Sequence, residues 1–471
     1  MKNNFYITTT LPYINAEPHI GFAGEIIMAD VLARFKRILG DEVFFNTGTD
    51  EHGLKVYRKA EELGMEPQAY CDKLVESYLD LKNLLNLSFD NFIRTTDKNH
   101  IEAAQEFWKR CKASGDIYKK MYKVKYCVGC ELEKTDSDLV NDKCPLHPDI
   151  ELECYEEENY FFRFSKYQKK LLELYDKNPG FILPKFRLNE IKKFIESGLE
   201  DFSISRLKSK MPWGIEVPED SEHVMYVWFD ALVNYISAIG WPNDTDNFKK
   251  WWPGVQLAGK DNLRQQSAMW QAMLQSAGIE NSKQVFIRGF IIVNGQKMSK
   301  SLGNVISPKE MIKKFGVDGT RYLLLSMGGA FGEDADVNWE KMIEEYNADL
   351  ANGLGNLISR VIKLSENLSF NKNEKFEFRD EFKKWINGME FGLALNHIWN
   401  VISEDNKYIE ENKPWELKKN DENKFKEVMQ KLASDLYLIS ELLAPFLPET
   451  SEKIKKALET KEPVILFQRI K

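Results

Sequence analysis

The sequence predicts an α/β protein with a parallel sheet, interrupted by a small metal-binding insertion and followed by a C-terminal α-helical bundle. Three observations carry this: a strand–loop–helix–strand order at the start, paired Cys and His residues near the middle, and long amphipathic segments lacking β-branched runs from about residue 346.

Phe5–Thr10 reads "FYITTT", a β-branched and aromatic strand, and "LPYINAEP" after it is a turn-rich loop. Ile20, Ala23, Ile26, Ile27, Val31, Leu32 and Phe35 then recur at helical spacing before Gly40, and "EVFFNTG" is a second strand. Residues 54–113, rich in Lys, Glu and Leu, are expected to be mostly helical. Between about 114 and 225 the texture changes to Cys, charge clusters, aromatics and Pro, which points to an inserted domain. The α/β texture returns in "HVMYVWFDALVNYISAIGW", "VQLAGKD" and the strand-like "QVFIRGFIIV" at 284–293. The expected segments are 1–113 and 226–325 for the two halves of the sheet domain, 114–225 for the insertion, 326–345 for a linker or stem-contact segment, and 346–471 for the bundle.

Bulk properties narrow the class of protein. The chain has 471 residues, 43% apolar and 29% charged, which suits two or three globular domains. No apolar run of about 18 residues and no basic-then-apolar leader is present, so a cytoplasmic protein without a membrane partner is expected. Six cysteines are too few for a disulfide scaffold. The net charge of -8 gives no sign of a general nucleic-acid binder and does not exclude one, because a local basic groove can coexist with an acidic remainder.

"CVGC" places Cys127 beside Cys130, and "CPLH" places Cys144 beside His147 after a gap of 13 residues. Two close pairs on tight turns suit tetrahedral Zn²⁺, and four protein ligands leave no open coordination position. The metal would therefore be structural. It would stabilise a module too small for a full core.

"KMSKS" at 297–301 follows a strand and the turn "NGQ". Two lysines three apart on a Ser/Gly-flanked loop can converge on a triphosphate, or form an exposed basic turn. Earlier, "EPHIGFAGE" sets His19 where a loop enters a helix, a place that favours anions; the same His can act as a helix cap.

Together these two stretches resemble the paired ATP-site motifs of class I aminoacyl-tRNA synthetases. With "TLPYINAEPHIG", "GTDEHG", "YVWFDALVNYI", "GKD", "KMSKSLGN", "NKPWEL" and the Cys/His insertion, the chain is similar to methionyl-tRNA synthetases over nearly its whole length. The resemblance implies a Rossmann-like catalytic domain carrying the insertion, and an anticodon-binding bundle. It also implies ligation of L-methionine to tRNA(Met) with ATP and Mg²⁺, through a methionyl-adenylate, releasing AMP and pyrophosphate.

His19, Lys297 and Lys300 match the family's catalytic positions, and Gly21, Met298 and Ser299 belong with them to the ATP site. Leu11, Tyr13, Asp50, Trp228, Ala231, Tyr235, Gln266 and Trp270 match the amino-acid pocket, with Asp50 pairing the substrate ammonium. Asp50 also suits a helix N-cap, and Trp228 and Tyr235, seven apart, would share one helix face as core residues also do. Asn356, Arg360, Pro414 and Trp415 match the anticodon readers, the last two in an interhelical loop; on its own, Trp415 reads as a core tryptophan. A monomer is expected, since no oligonucleotide-binding-fold domain follows the bundle.

Three places differ from the family pattern. Phe22 replaces a second His, Gly24 replaces an aromatic, and Gln265 and Gln266 stand where an aromatic and a His are usual. A buried amide needs partners, so a reshaped pocket, and a paralogue of altered amino-acid or inhibitor specificity, is a second reading. A non-catalytic tRNA- or amino-acid-binding relative is a third. The presence of Asp50, Lys297 and Lys300 argues against it.

Overall fold

The structure is a computed structural model that describes residues 3–130, 132–134, 138–299, 302–327, 331–365, 368, 370 and 376–471. The chain forms two compact units. The first takes Met1–Glu17, Glu42–Asp80 and Phe89–Ile287; the second takes Pro18–Asp41, Leu81–Ser88 and Arg288–Lys471.

A six-stranded sheet is central to the first unit, in the order Asn91–Arg94, Glu42–Thr49, Asn4–Thr9, Val255–Gly259, Gln284–Arg288, Ile182–Leu183. Tyr6 pairs with Phe44, Ile7 with Val255, Thr47 with Phe92 and Val285 with Ile182, all in parallel. Asn4–Thr9 is buried at every position after the first, as expected for a strand covered on both faces. The strand Asn91–Arg94 lies inside a stretch expected to be mostly helical, and it needs close approach to its neighbour. A Cβ on Gly48 would fall 1.8 Å from the Ile93 carbonyl oxygen.

The region 114–225 supplies an antiparallel ribbon, Ile117–Cys127 with Glu153–Phe162, whose register runs from Ile117 opposite Phe162 to Tyr126 opposite Glu153. The same region supplies the Ile182–Leu183 edge strand of the main sheet. Phe107, Trp108, Phe229 and Trp270 are buried together in the core of this unit; Phe107 stacks on Trp270 at 5.5 Å.

The second unit starts with the helix Ile20–Ile38. The apolar run at 284–293 is not one strand: Ile291–Val293 joins a small sheet between Gln296–Lys297 and Ala335–Val337. The cause is at Gly289, where a Cβ would stand 2.0 Å from the Glu333 carbonyl oxygen. Helix Pro308–Ser326 begins with a Ser307/Glu310 capping box. Its Arg321, fully buried, pairs with buried Asp30 of the first helix at 2.8 Å and donates to the Phe446 carbonyl at 2.7 Å. From Tyr346 to Thr460 the elements among the described residues are all helical: a π-helical run Tyr346–Gly355 leads into Asn356–Leu364, followed by helices 380–387, 391–412, 414–420, 422–443 and 448–460. Phe391, Ala394, Leu395, Ile398, Ile402 and Ile409 form the buried stripe of the fourth of these seven. No helix among the described residues is long and apolar enough to cross a membrane.

Candidate active site

In the first unit, the loop after Asn4–Thr9 folds against the loop after Glu42–Thr49. Tyr13 bridges to Asp50, the Ile14 N–H donates to the Asp50 carbonyl at 3.0 Å, and the Asp50 N–H donates to the Pro12 carbonyl at 3.0 Å. Asp50 is buried, and Leu11 and Tyr13 are half-buried. The Tyr13 ring meets Trp228 edge-on at 6.0 Å. Tyr235 meets Trp270 edge-on at 5.8 Å and accepts a hydrogen bond from the Gln266 amide. Ala231 is buried beside them in sequence.

Trp228 and Tyr235 do not share a helix. Val227–Ala231 ends before Asn234–Ser237 begins, and each ring finds its own aromatic partner across the break. Gln265–Met269 is a π-helical turn. Gln265 and Gln266 are buried, and among the described residues their Oε1 atoms, like the indole N–H groups of Trp228 and Trp270, have no hydrogen-bond partner. Unpartnered buried polar atoms at a site are expected where a ligand completes them.

Sequence reasoning missed what surrounds Asp50. The next residue, Glu51, is fully buried and receives Arg94 through both oxygens at 2.7 and 2.9 Å, with Thr49 and Thr96 at 2.7 and 2.6 Å. The residue after that, His52, bonds Asp230 through Nδ1 at 2.7 Å, and His100 Nε2 bonds the other Asp230 oxygen at 2.7 Å. Burial works to raise the Asp230 carboxyl, but the two imidazoles override it and hold the group below the usual carboxylate range. Part of the signal was in the sequence: Asp230 is a charged residue inside the otherwise apolar run "YVWFDALV", whereas His100 sits among polar neighbours in "DKNHIEAAQ" and does not stand out.

In the second unit, His19 is the N-cap of helix Ile20–Ile38, and its Nδ1 accepts from the Gly21 N–H at 3.0 Å. That bond leaves the neutral ring's proton on Nε2, a donor at the positive end of a helix. The ring reaches solvent, yet desolvation by the protein around it, then the charges of Arg288 and Lys297, hold its pKa below the ordinary imidazole value. Gly21 makes room for this ring position: a Cβ would sit 2.6 Å from His19 Cε1, and 3.5 Å from Met298 Cε. The His19 turn and Met298 of the lysine loop are therefore adjacent. Arg288 joins them, donating to the Gly21 carbonyl at 2.6 Å.

Lys297 is exposed, lies over the Phe290 ring at 4.7 Å, and ends a strand pairing with Ile292. The Ser299 N–H donates to Asn304 Oδ1 at 2.8 Å. Lys300 and Ser301 lie outside the described residues. Phe22 is half-buried one residue beyond Gly21, and a Cβ on Gly24 would lie 3.0 Å from Ile291 Cδ1 and 3.2 Å from Arg288 Nη1, so an aromatic there would need both side chains to shift.

Cys127, Cys130, Cys144 and His147 form one cluster, with all ligand atoms within 4.8 Å of one another. Cys130 Sγ lies 3.4 Å from Cys144 Sγ and 3.1 Å from His147 Nδ1. Three sulfurs and one imidazole at this separation fit tetrahedral zinc, and the site is a structural one. Gly129 permits it, because a Cβ there would meet the His147 ring at 2.6 Å.

In the bundle, Asn356 and Arg360 are one helical turn apart and line a cavity of about 470 Å³ with Asn352, Trp399 and Asn406. Arg360 pairs with Glu410 at 2.7 Å and lies over the Trp415 ring at 5.6 Å. Trp415 is 39% exposed rather than in the core. Pro414 and Trp415 are not in a loop: Lys413, left-handed at φ 45°, turns the chain, and Pro414 opens the helix Pro414–Asn420.

Residues 5–151 and 133–362 match the family described as class I tRNA synthetases (M), and 368–466 match the anticodon binding domain of methionyl tRNA ligase. The chain belongs to the class I methionyl-tRNA synthetases. Among its relatives, the methionine–tRNA ligase of Thermotoga maritima is 41% identical over 97% of this chain and 76% of its own length. That of Caldanaerobacter subterraneus subsp. tengcongensis is 42% identical over 100% of this chain and 76% of its own length. The fold is similar to the Mycobacterium tuberculosis methionyl-tRNA synthetase in complex with methionyl-adenylate, with a TM-score of 0.90 at 38% identity over 97% and 93% of the two chains. The apo form of that synthetase gives a TM-score of 0.84 at 32% identity, over 100% and 99% of the two chains. The enzyme thus ligates methionine to tRNA(Met) in an ATP-dependent reaction through methionyl-adenylate.

Proposed function

We propose that methionine is held by Asp50 at its ammonium, by Leu11, Tyr13 and Ala231 along its stem, and by Trp228, Tyr235, Gln266 and Trp270 around its thioether. A buried carboxylate suits an ammonium, and an aromatic-walled slot suits a polarisable sulfur. The observation that carries this reading is the convergence of three distant segments: Tyr13 is paired with Asp50 and in ring contact with Trp228.

In the same reading, His19 Nε2–H, the Gly21 turn and the Met298–Ser299 loop receive the ATP phosphates, with Lys297 and Lys300 supplying positive charge. The methionine carboxylate oxygen attacks the α-phosphorus and the bond to the β-phosphate oxygen breaks, giving methionyl-adenylate and pyrophosphate. A terminal ribose hydroxyl of tRNA(Met) then attacks the carbonyl and AMP leaves. No side-chain nucleophile is needed; catalysis is orientation plus charge stabilisation. Mg²⁺, when bound with ATP, offsets phosphate charge.

Asn356 and Arg360 offer base-edge partners and Trp415, following Pro414, a stacking face for the anticodon. The functional partition is then 1–113 and 226–325 for catalysis, 114–225 for the zinc-bearing insertion, 326–345 as a linker to the bundle, and 346–471 for anticodon binding. A cytoplasmic monomer completes the reading, testable by light scattering and cell fractionation. The decisive experiment is ATP–pyrophosphate exchange with Asp50→Asn. The KM for methionine should rise well above tenfold while the KM for ATP stays near its starting value.

The Gln266–Tyr235 bond favours a second reading, a pocket of altered amino-acid or inhibitor specificity. Exchange assayed across the twenty amino acids decides between them.

A further inference from the structure

We propose that His52, Asp230, His100 and Ser237 form a positioning relay that sets the shape of the methionine pocket. The proposal rests on the assignment of that pocket to Asp50, Trp228 and Tyr235. Each of those residues is followed, two positions later, by a member of the relay: His52, Asp230 and Ser237. The fourth member, His100, comes from the helix Lys98–Ala113 and touches both sides of the break between Val227–Ala231 and Asn234–Ser237.

The chemistry of the relay is fixed by its hydrogen bonds. Asp230 is fully buried and accepts at both oxygens, from His52 Nδ1 at 2.7 Å and His100 Nε2 at 2.7 Å. His100 Nδ1 meets Ser237 Oγ at 3.0 Å. A carboxylate accepts only, so each imidazole carries a proton on the nitrogen facing Asp230. The two rings therefore donate from different positions, Nδ1 in one and Nε2 in the other.

Trp213 covers His52 at 5.4 Å between ring centres, while its indole N–H donates to the Glu51 carbonyl at 2.6 Å. The Asp50 loop is thereby fixed on the relay side, as Arg94 fixes it through Glu51 on the other. An unmet bond in so buried a chain is costly, so the relay holds the three pocket segments in one arrangement before substrate arrives. Its members orient the pocket and none is a catalytic residue.

The two donor positions give a crossed test. An Asn amide nitrogen reaches the place of His Nδ1 and a Gln amide nitrogen the place of His Nε2. In pyrophosphate exchange, His52→Asn and His100→Gln should keep the KM for methionine within about threefold of the parent, whereas His52→Gln and His100→Asn should raise it about tenfold or more. The KM for ATP should move less than about twofold in all four, and Asp230→Asn should behave like the mismatched pair. All four histidine variants substitute a side chain of similar size and polarity, so melting temperature separates folding from positioning. The proposal is overturned if KM for methionine ignores the crossing, or if KM for ATP moves with it. Asp50→Asn and Trp228→Ala serve as controls: if they leave KM for methionine unchanged, the pocket assignment fails; if they raise it and the crossing is absent, the relay alone fails.

Discussion

The Gly21 backbone N–H donates to His19 Nδ1 at 3.0 Å, so one imidazole caps the first helix and presents Nε2–H outward. The cap and the ATP contact are therefore two functions of opposite ring edges, and they can be separated. His19→Asn keeps an N-cap acceptor and removes the outward donor. Its melting temperature should stay near the parent's while adenylate formation falls about a hundredfold; His19→Ala should lose about 0.5–2 kcal/mol as well. Thermal unfolding alongside pyrophosphate exchange checks both.

Desolvation first, then Arg288 and Lys297, depress the His19 pKa. The unfolded chain, with an imidazole near pH 6.5, therefore takes up the proton more readily than the folded one. The stability from this group is complete above about pH 6.5 and is lost as pH falls through the folded value. Melting curves from pH 8 to pH 5 should drop more steeply for the parent than for His19→Asn.

Lys297 is exposed, so removing it costs little structure. Lys297→Ala should fold normally and lose about 10²–10³ in the rate of adenylate formation, with tRNA affinity unchanged. Single-turnover adenylate formation and tRNA binding by filter retention read the two quantities separately.

Gly129→Ala introduces a Cβ 2.6 Å from the His147 ring. Zinc content by atomic absorption should fall well below one per chain, with an earlier unfolding transition, and added zinc should recover the parent's transition but not the variant's.

Trp415→Ala should weaken tRNA(Met) binding by about 1–3 kcal/mol, whereas Trp415→Phe should retain most of it. Pyrophosphate exchange, which needs no tRNA, should be unaffected by either. Equal aminoacylation KM for tRNA in all three proteins would remove Trp415 from the anticodon reading.

Gln266→Leu removes an amide whose Oε1 has no partner among the described residues, along with its bond to Tyr235. If that amide selects a polar side chain, Leu should narrow exchange toward methionine and norleucine. Unchanged methionine-only exchange in parent and variant would leave the amide a packing role.

The parts of the fold that could be read in the sequence are those with their own periodicity or spacing. The strands Asn4–Thr9, Glu42–Thr49 and Val255–Gly259 are β-branched or apolar, and the Cys and His ligands carry a metal spacing that needs no tertiary context. The four-residue strand Asn91–Arg94 was hidden because it is too short for a period and its pairing depends on Gly48, over forty residues earlier. The helix break at Leu232–Val233 has no Gly or Pro to announce it; the tertiary bonds of Asp230, His100 and Ser237 straddle it. The His19 and Lys297 turns were legible as phosphate-type features, while Arg288 beside them was invisible in a run that reads as one continuous strand.

Arg360 is held by Glu410 and covered by Trp415 with the cavity beside it open. A guanidinium on a free chain would surrender its rotamer freedom at the moment of association, weakening binding. Here part of that entropy is already surrendered when the bundle folds, so a ligand entering the cavity meets a partly oriented cation and owes less for its ordering.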